Sequence, residues 1–354
     1  MSRFLDERLL SLKAYVPGEQ PDPGKYIKLN TNEFPYMPAP EVQGVAAEAT
    51  SYMNLYCDLT CKKLKNSFQK VFGYGKNNVV FTNGSDEALY LCFLAFCGRD
   101  CGVAFPDISY GFYKVYADLC GLKQDIIPLD EDFRVVPRDY FGRNKTIFIA
   151  NPNAPTGLRL SNGDIEAILQ NNPNNIVVID EAYTDFSGET CAPLISKYDN
   201  LVIVGTFSKS RGMAGARLGY IIASEEIVSD IEKVKFSINP YNVNNITQAV
   251  GTAVLENNEY YAEKISEICK TRDRFSKRLS EIGFLVIPSK TNFIFARHPE
   301  FDGATVSAYL KENGVLVRHF DSERIKSYVR ISIGTPEQMS RVEEVLLNMV
   351  GGIK

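Results

Sequence analysis

The chain has 354 residues, of which 45% are hydrophobic and 23% charged, an ordinary balance for a soluble globular protein with one large and one smaller domain. Its net charge of -4 leaves no electrostatic footprint for nucleic acid. No apolar run approaches the ~20 residues needed to span a bilayer, so no membrane partner is expected.

The N-terminal MSRFLDERLL has acidic residues early and no apolar signal core, so a cytoplasmic protein is expected. The eight cysteines (Cys57, Cys61, Cys92, Cys97, Cys101, Cys120, Cys191 and Cys269) form no C-x-x-C pair, and His298 and His319 are the only histidines. That pattern argues against a metal site and for reduced packing residues. Residues 1–45 read as an N-terminal arm, and over residues 1 to about 40 the six prolines Pro17, Pro21, Pro23, Pro35, Pro38 and Pro40 argue against a regular helix or central strand. Tyr15, Tyr26, Ile27, Leu29, Phe34 and Tyr36 make the stretch too apolar for a solvated tail, so an arm packed on the small domain or on another subunit is expected.

Residues 46–240 are expected to form the large domain. Short apolar runs at Val79–Phe81, Val103–Phe105, Thr146–Ile149, Ile176–Ile179 and Leu201–Val204 read as strands buried on both faces. Helical stretches at Ser85–Phe96 and Tyr110–Cys120 alternate with them, which implies an α/β fold with a mostly parallel sheet flanked by helices. Beyond Pro240 the texture changes, and residues 241–354 read as a smaller α+β domain. A helical stripe runs from Ile246 to Ile282, broken near Asn257 and Asn258. Strands follow at Phe284–Ile287, Phe293–Ala296, Val315–Phe320 and Val329–Ile333, with helices at Gly303–Glu312 and Pro336–Met349. Thr335 before Pro336 fits an N-cap with proline at the first helical position.

Ligands bind at the carboxyl ends of strands in such sheets, and the polar clusters fall there. The stretch LVIVGTFSKSRGMAGARLGY sets Lys209 between two strand-like runs. A buried ammonium is costly unless it is paired, neutralised or used covalently, and a lysine so placed suits Schiff-base chemistry; an exposed loop lysine is the simpler alternative. Asn83-Gly84-Ser85-Asp86 offers helix N-terminal amides to a phosphate, or a plain N-cap. Asp180-Glu181-Ala182-Tyr183 ends a strand with an aspartate able to keep a pyridine nitrogen protonated and a tyrosine able to donate to a phenolate oxygen. Asn151 to Gly157 is a rigid proline turn in which an asparagine can meet the ring oxygen. Arg318 and Arg330 sit on strands among apolar neighbours, either solvated or reaching into a cleft for anions.

Taken in this order, D-E-A-Y, T-F-S-K, Arg217 and V-R-I-S-I-G resemble the fold-type I pyridoxal-phosphate aminotransferases, and within them the branch that acts on histidinol phosphate. The resemblance runs over nearly the whole chain. It implies a seven-stranded sheet, pyridoxal 5'-phosphate as cofactor, and amino transfer from histidinol phosphate to 2-oxoglutarate, giving glutamate. Lys209 would hold the cofactor covalently, Asp180 would pair with its ring nitrogen, and Tyr183 and Asn153 would meet its ring oxygen. Gly84, Ser85, Asp86, Thr206, Ser208 and Arg217 would hold its phosphate, and Tyr110 would stack on the ring. Arg330 would take the α-carboxylate of glutamate. Tyr15 in VPGEQP, Asn32 in LNTNEFP, Tyr56 in LYCDLT and Arg318 in VLVRHF would line the substrate side, with Tyr56 crossing to the neighbouring site of a homodimer. Three positions depart from the branch: Ala154 where asparagine is usual, Phe34 in N-E-F-P, and Cys57 after Tyr56. An aromatic-amino-acid aminotransferase and a threonine-phosphate decarboxylase share most of these residues and stay open, as does a cofactor-binding regulator, although no basic DNA-binding extension accompanies it.

Overall fold

The computed structural model describes residues 3–98 and 101–352. The arm supplies a two-residue strand, β1 (Ile27–Lys28), and then α1 (Pro40–Ala49), whose opening proline sits where no intrahelical N–H bond is lost. After α2 (Lys62–Phe72) the chain alternates through β2 (Val79–Thr82), α3 (Gly84–Phe96), β3 (Val103–Pro106), α4 (Phe112–Leu119), β4 (Gln124–Ile127), β5 (Thr146–Ala150), α5 (Asn162–Gln170), β6 (Val177–Asp180), β7 (Leu201–Thr206), β8 (Gly219–Ile222) and α6 (Glu225–Ile238). The remainder runs α7 (Asn245–Glu256), α8 (Asn258–Glu281), β9 (Leu285–Ile287), β10 (Phe293–Arg297), α9 (Gly303–Glu312), β11 (Val315–Leu316), β12 (Arg318–His319), β13 (Val329–Ser332) and α10 (Pro336–Gly351).

Seven strands form the large sheet in the order β2-β8-β7-β6-β5-β3-β4. All are parallel except β8, which runs antiparallel to both its neighbours. The expected α/β architecture is therefore present. The continuous apolar runs reflect burial from both sides. Ile147, Ile149, Ile179 and Ile203 pack into one core with α2, α5 and α7, and the alternate residues Phe148, Val178, Val202 and Val204 pack into another with α3, α4 and α6. The edge strand β4, with half-exposed Gln124 and exposed Ile126, lacks that signal, which is why the sequence pattern passes over it.

A four-stranded antiparallel sheet, β12-β13-β10-β9, forms the second unit. Ile268, Phe275, Phe293, Ile331, Val342 and Leu346 fill its core. Thr335 caps α10 through Gln338 in a capping box, as its sequence suggests. Two details depart from the sequence reading. The run Val315–Phe320 is not one strand: β11 pairs in parallel with β1 of the arm, and β12 pairs with β13. And α7 packs against α1 and α2, with Val243, Val254, Leu255 and Tyr261 inside the large sheet's core, so the packing boundary falls within the α7–α8 pair rather than at 240. The break expected near Asn257 and Asn258 falls between the two helices, and periodicity alone does not say which core each half serves. The arm spans both units, with Leu29 in the small core and Ala39 and Val42 in the large one.

Gly205 faces Tyr220 across the β7–β8 ladder, and a Cβ there would lie 2.1 Å from the tyrosine's Cζ. Gly205→Ala should lower the thermal unfolding midpoint, an overpacking cost of about 1–3 kcal/mol. Gly44→Ala on α1, with no atom within 4 Å of the added carbon, should leave it level or higher.

Candidate active site

Because the strands that lead to them run parallel, Asn83–Asp86, Asp107–Tyr110, Asn151–Thr156, Asp180–Tyr183 and Thr206–Lys209 emerge at one edge of the large sheet. The sequence clusters thus meet in space.

At the start of α3, Gly84 has φ +75°, and a Cβ there would stand 2.4 Å from Arg217 Nη2. Gly219 on β8 is equally constrained, since its Cβ would lie 2.4 Å from the Gly84 carbonyl carbon. Two glycines thus let a backbone and a guanidinium close on one point. Arg217, itself at φ +55°, pairs with Asp86 at 2.7 Å, and the Tyr110 hydroxyl donates to the other Asp86 oxygen at 2.6 Å. The Asp86 carboxylate therefore orients the cradle's donors, while the amides of Ser85 and Asp86 at the helix start suit an anion. Thr206 and Ser208 bring their hydroxyls within 3.0 Å of each other on the far side. Amides, two hydroxyls and a guanidinium around a space only glycine leaves open fit a phosphate monoester.

Asp180 closes β6 and is buried. Burial pushes its carboxyl up to about 6, against the opposing pull of the Ala182 amide at 3.1 Å and the Tyr113 hydroxyl at 3.0 Å. Tyr113 was not singled out from the sequence. It lies in the first turn of α4, just after the loop that carries Tyr110, and no sequence pattern marks it as a partner of Asp180. The Tyr183 phenol, raised by burial, accepts from Asn32 Nδ2 at 2.9 Å, which leaves its own hydrogen free to point into the site. Asn32, at φ +56°, is fixed by two contacts of 2.9 Å to the Ser332 hydroxyl and by Asn292.

Lys209 is partly buried, and Nζ donates to the Thr31 carbonyl at 2.9 Å. Burial first, and the nearby Arg330 charge second, lower its ammonium to about 8. Arg330 and Arg318 face each other across the β12–β13 ladder. Arg330 donates to the Asn30 carbonyl at 3.0 Å, lies over the rings of Phe293 and Phe320, and keeps a buried Nε with no partner. Arg318 reaches the Val16 and Pro17 carbonyls at 3.3 Å. Among the described residues no carboxylate is ion-paired with either arginine, so this end of the site is built for an anion. Tyr15 stacks on Phe112 at 4.3 Å and sits 6.3 Å from the Tyr110 ring.

Two expected residues are placed elsewhere. Asn153 spends its amide inside the proline turn: Nδ2 donates to the Ile108 carbonyl and to Thr156, each at 3.0 Å, and Oδ1 accepts from Ser109. It has no free donor for a ring oxygen, in keeping with Ala154 in the adjoining position. Tyr56 is 81% exposed and stacks on Tyr241, apart from the site within one chain. No group of metal ligands occurs among the described residues, and no helix there is long and apolar enough to cross a membrane.

The arrangement resembles known proteins at both levels. The family described as aminotransferase class I and II matches residues 24–346. Histidinol-phosphate aminotransferase of Marinomonas sp. (strain MWYL1) is 44% identical over 350 residues, covering 98% of this chain and 99% of its own. The enzyme of that name from Brachyspira hyodysenteriae is 42% identical over 96% of each chain. Among solved structures, the Sinorhizobium meliloti histidinol-phosphate aminotransferase in complex with pyridoxal-5'-phosphate superposes with TM-score 0.83 at 21% identity, covering 93% of this chain and 92% of that one, which is a likeness of fold.

Tyr113→Phe removes a donor that favours the ionised carboxylate, so Asp180 should titrate above its present midpoint of about 6. The carboxylate band of the cofactor-free protein, followed against pH by infrared difference spectroscopy with Asp180→Asn as blank, checks this; an unmoved midpoint would remove Tyr113 from the site.

Proposed function

The chain belongs to the class I and II aminotransferases, and from that premise we propose that it moves the amino group of histidinol phosphate to 2-oxoglutarate, with pyridoxal 5'-phosphate as cofactor, in histidine biosynthesis. The observation that carries the reading is the placement of Lys209, its ammonium lowered by burial, between a phosphate cradle and two arginines that make no ion pair with a carboxylate among the described residues.

The cofactor, when bound, supplies an electrophilic carbonyl and a pyridinium ring that draws electrons from a broken C–H bond. Lys209 would hold it, with Arg217, Thr206, Ser208 and the amides after Gly84 around its phosphate. Asp180, as the anion, keeps a proton on the ring nitrogen, and Tyr113 and the Ala182 amide hold that carboxylate in place. Tyr183 offers its hydrogen to the ring oxygen while Asn32 fixes the phenol from behind. With the cofactor bound, the neutral amine of Lys209 would take the proton from the substrate's amine-bearing carbon and deliver it to the carbon of the cofactor's former carbonyl; an ammonium lowered to about 8 suits it to both accept and give that proton.

Arg318 and Arg330 receive the substrate's anion. The bonds of 3.3 Å from Arg318 to the Val16 and Pro17 carbonyls of the arm are ones a phosphate or carboxylate easily replaces. Phosphate monoester and dicarboxylate thereby share one pocket, which serves both half-reactions. Tyr15, stacked on Phe112, walls the substrate side. Exposed Tyr52, Met53, Leu55 and Tyr56 form an apolar face that a second copy of the chain would cover, giving Tyr56 to the neighbouring site. A cytoplasmic homodimer follows from this reading.

Lys209→Ala should abolish turnover of histidinol phosphate with 2-oxoglutarate and erase the cofactor's visible absorbance. Wild-type preference for phenylalanine over histidinol phosphate as donor would replace the substrate assignment with the aromatic one. By sedimentation the protein should have twice the chain mass, and Tyr56→Phe should raise KM for histidinol phosphate several-fold; a monomer of full activity would sink the shared site.

A further inference from the structure

One guanidinium outside the site ties the two domains together. The segment 320–328 joins β12 to β13, the strands that carry Arg318 and Arg330. From its middle, Arg324 Nη1 reaches Asp107 Oδ2 at 2.7 Å, and Nη2 reaches the Leu129 and Asp130 carbonyls at 2.9 and 2.8 Å. All three acceptors belong to the large domain. Asp107 is itself held, since its other oxygen accepts from the Leu129 amide at 2.9 Å and its own amide donates to Ile127.

Behind this fork lies an apolar seam shared by both domains, with Ile108, Leu129 and Phe133 on one side and Phe295 and Ile325 on the other. Phe133 meets Tyr328 edge-on at 5.4 Å, and Tyr328 stacks on Phe295 at 4.6 Å. Phe133 holds φ +62°, costly for a bulky side chain and stabilised here by the turn from Asp130 to Arg134. Phe320, at the margin of the seam, lies 5.5 Å from the Arg318 guanidinium carbon and 5.6 Å from that of Arg330. On the large-domain side, Asp107 leads directly into Ser109, bonded to Asn153, and Tyr110, bonded to Asp86. The contacts therefore run unbroken from the phosphate cradle to the two anion-binding arginines.

We propose that Arg324 and Asp107 are a positioning pair which sets the span between Lys209 and the arginines of the small domain, and with it the length of substrate the site accepts. The inference rests on the aminotransfer reading above. As an ordinary surface ion pair the contact would contribute little, because it is partly exposed. Its geometry gives it another use: a rigid planar fork with three fixed acceptors specifies distance and angle, which a lysine does not. Neither residue touches substrate or cofactor. Loss of the fork frees the β12–β13 connection to shift, and a displacement of ~1 Å between reacting centre and anion site costs about a hundredfold in rate.

Arg324→Ala and Asp107→Asn, each as holoenzyme, should lower kcat/KM for histidinol phosphate by about ten- to a hundredfold, mainly through KM. Single-turnover reaction with histidinol, which lacks the phosphate, should change less than about twofold, because the arginines have nothing to position. Arg324→Lys should recover only part of the loss, and the double variant should be no worse than either single one. Amide hydrogen exchange across residues 318–330 should quicken in Arg324→Ala while the exchange of β6 and β7 stays unchanged. Equal losses with histidinol and histidinol phosphate, or unchanged kcat/KM in a folded variant, would overturn the pair's role. If wild-type enzyme ignores histidinol phosphate, the substrate reading fails; unchanged exchange at 318–330 would overturn the clamp whatever the substrate.

Discussion

The candidate site is arranged around one amine, that of Lys209, whose basicity burial lowers. Lys209 is held in a space where a full positive charge is poorly solvated, and the side chain finds a backbone carbonyl at Thr31 instead of a carboxylate. Arg330 nearby works in the same direction by repulsion. An ion-paired lysine would be more stable and chemically idle. Without a carboxylate to hold its proton, the amine reaches its neutral, nucleophilic form nearer neutral pH in the proposed reaction, and the surroundings favour that form by keeping its charge poorly solvated.

Those surroundings come from three separate stretches of chain. The large sheet brings Asp180, Tyr183 and Lys209 together because β6 and β7 are adjacent and parallel, so their carboxyl ends open on the same side. The arm contributes Thr31 and Asn32, held in register by β1 beside β11 and by Ser332 on β13. The small sheet contributes Arg318 and Arg330 from facing positions. Each group at the centre is thus supported from behind by a residue on a different element: Tyr113 behind Asp180, Asn32 behind Tyr183, Tyr110 and Asp86 behind Arg217. Such support is what narrows a set of correct residues to a workable geometry.

The two ends of the site have opposite electrostatic design. Around Arg217 the positive charge already has a carboxylate, so a bound phosphate enters a locally balanced cradle of amides, hydroxyls and guanidinium. Around Arg330 and Arg318 the guanidinium groups meet carbonyl dipoles and aromatic faces, and among the described residues neither has an ion-paired carboxylate. The first end suits a permanent tenant and the second an anion that must come and go. The apolar seam with Arg324 on its rim keeps the two ends apart by a set amount.

Much of this was legible in the sequence. Unbroken β-branched runs between helical stretches determined a parallel sheet covered on both faces, because only a strand buried on both sides tolerates them. The order of Asp180, Lys209, Arg217 and Arg330, read as a family resemblance, pointed to the reaction class. Only the tertiary structure decided the rest. Strand β4 and the split of Val315–Phe320 depend on which partner a short run meets, and local pattern carries no partner information. The role of α7 depends on which core its stripe faces. The Asn153 side-chain amide is spent inside its own turn, on the Ile108 carbonyl and Thr156, which only the folded turn reveals. Tyr113, Thr31 and Arg324 act through hydrogen bonds between residues 67, 178 and 217 positions apart, and such distances close only when the chain folds.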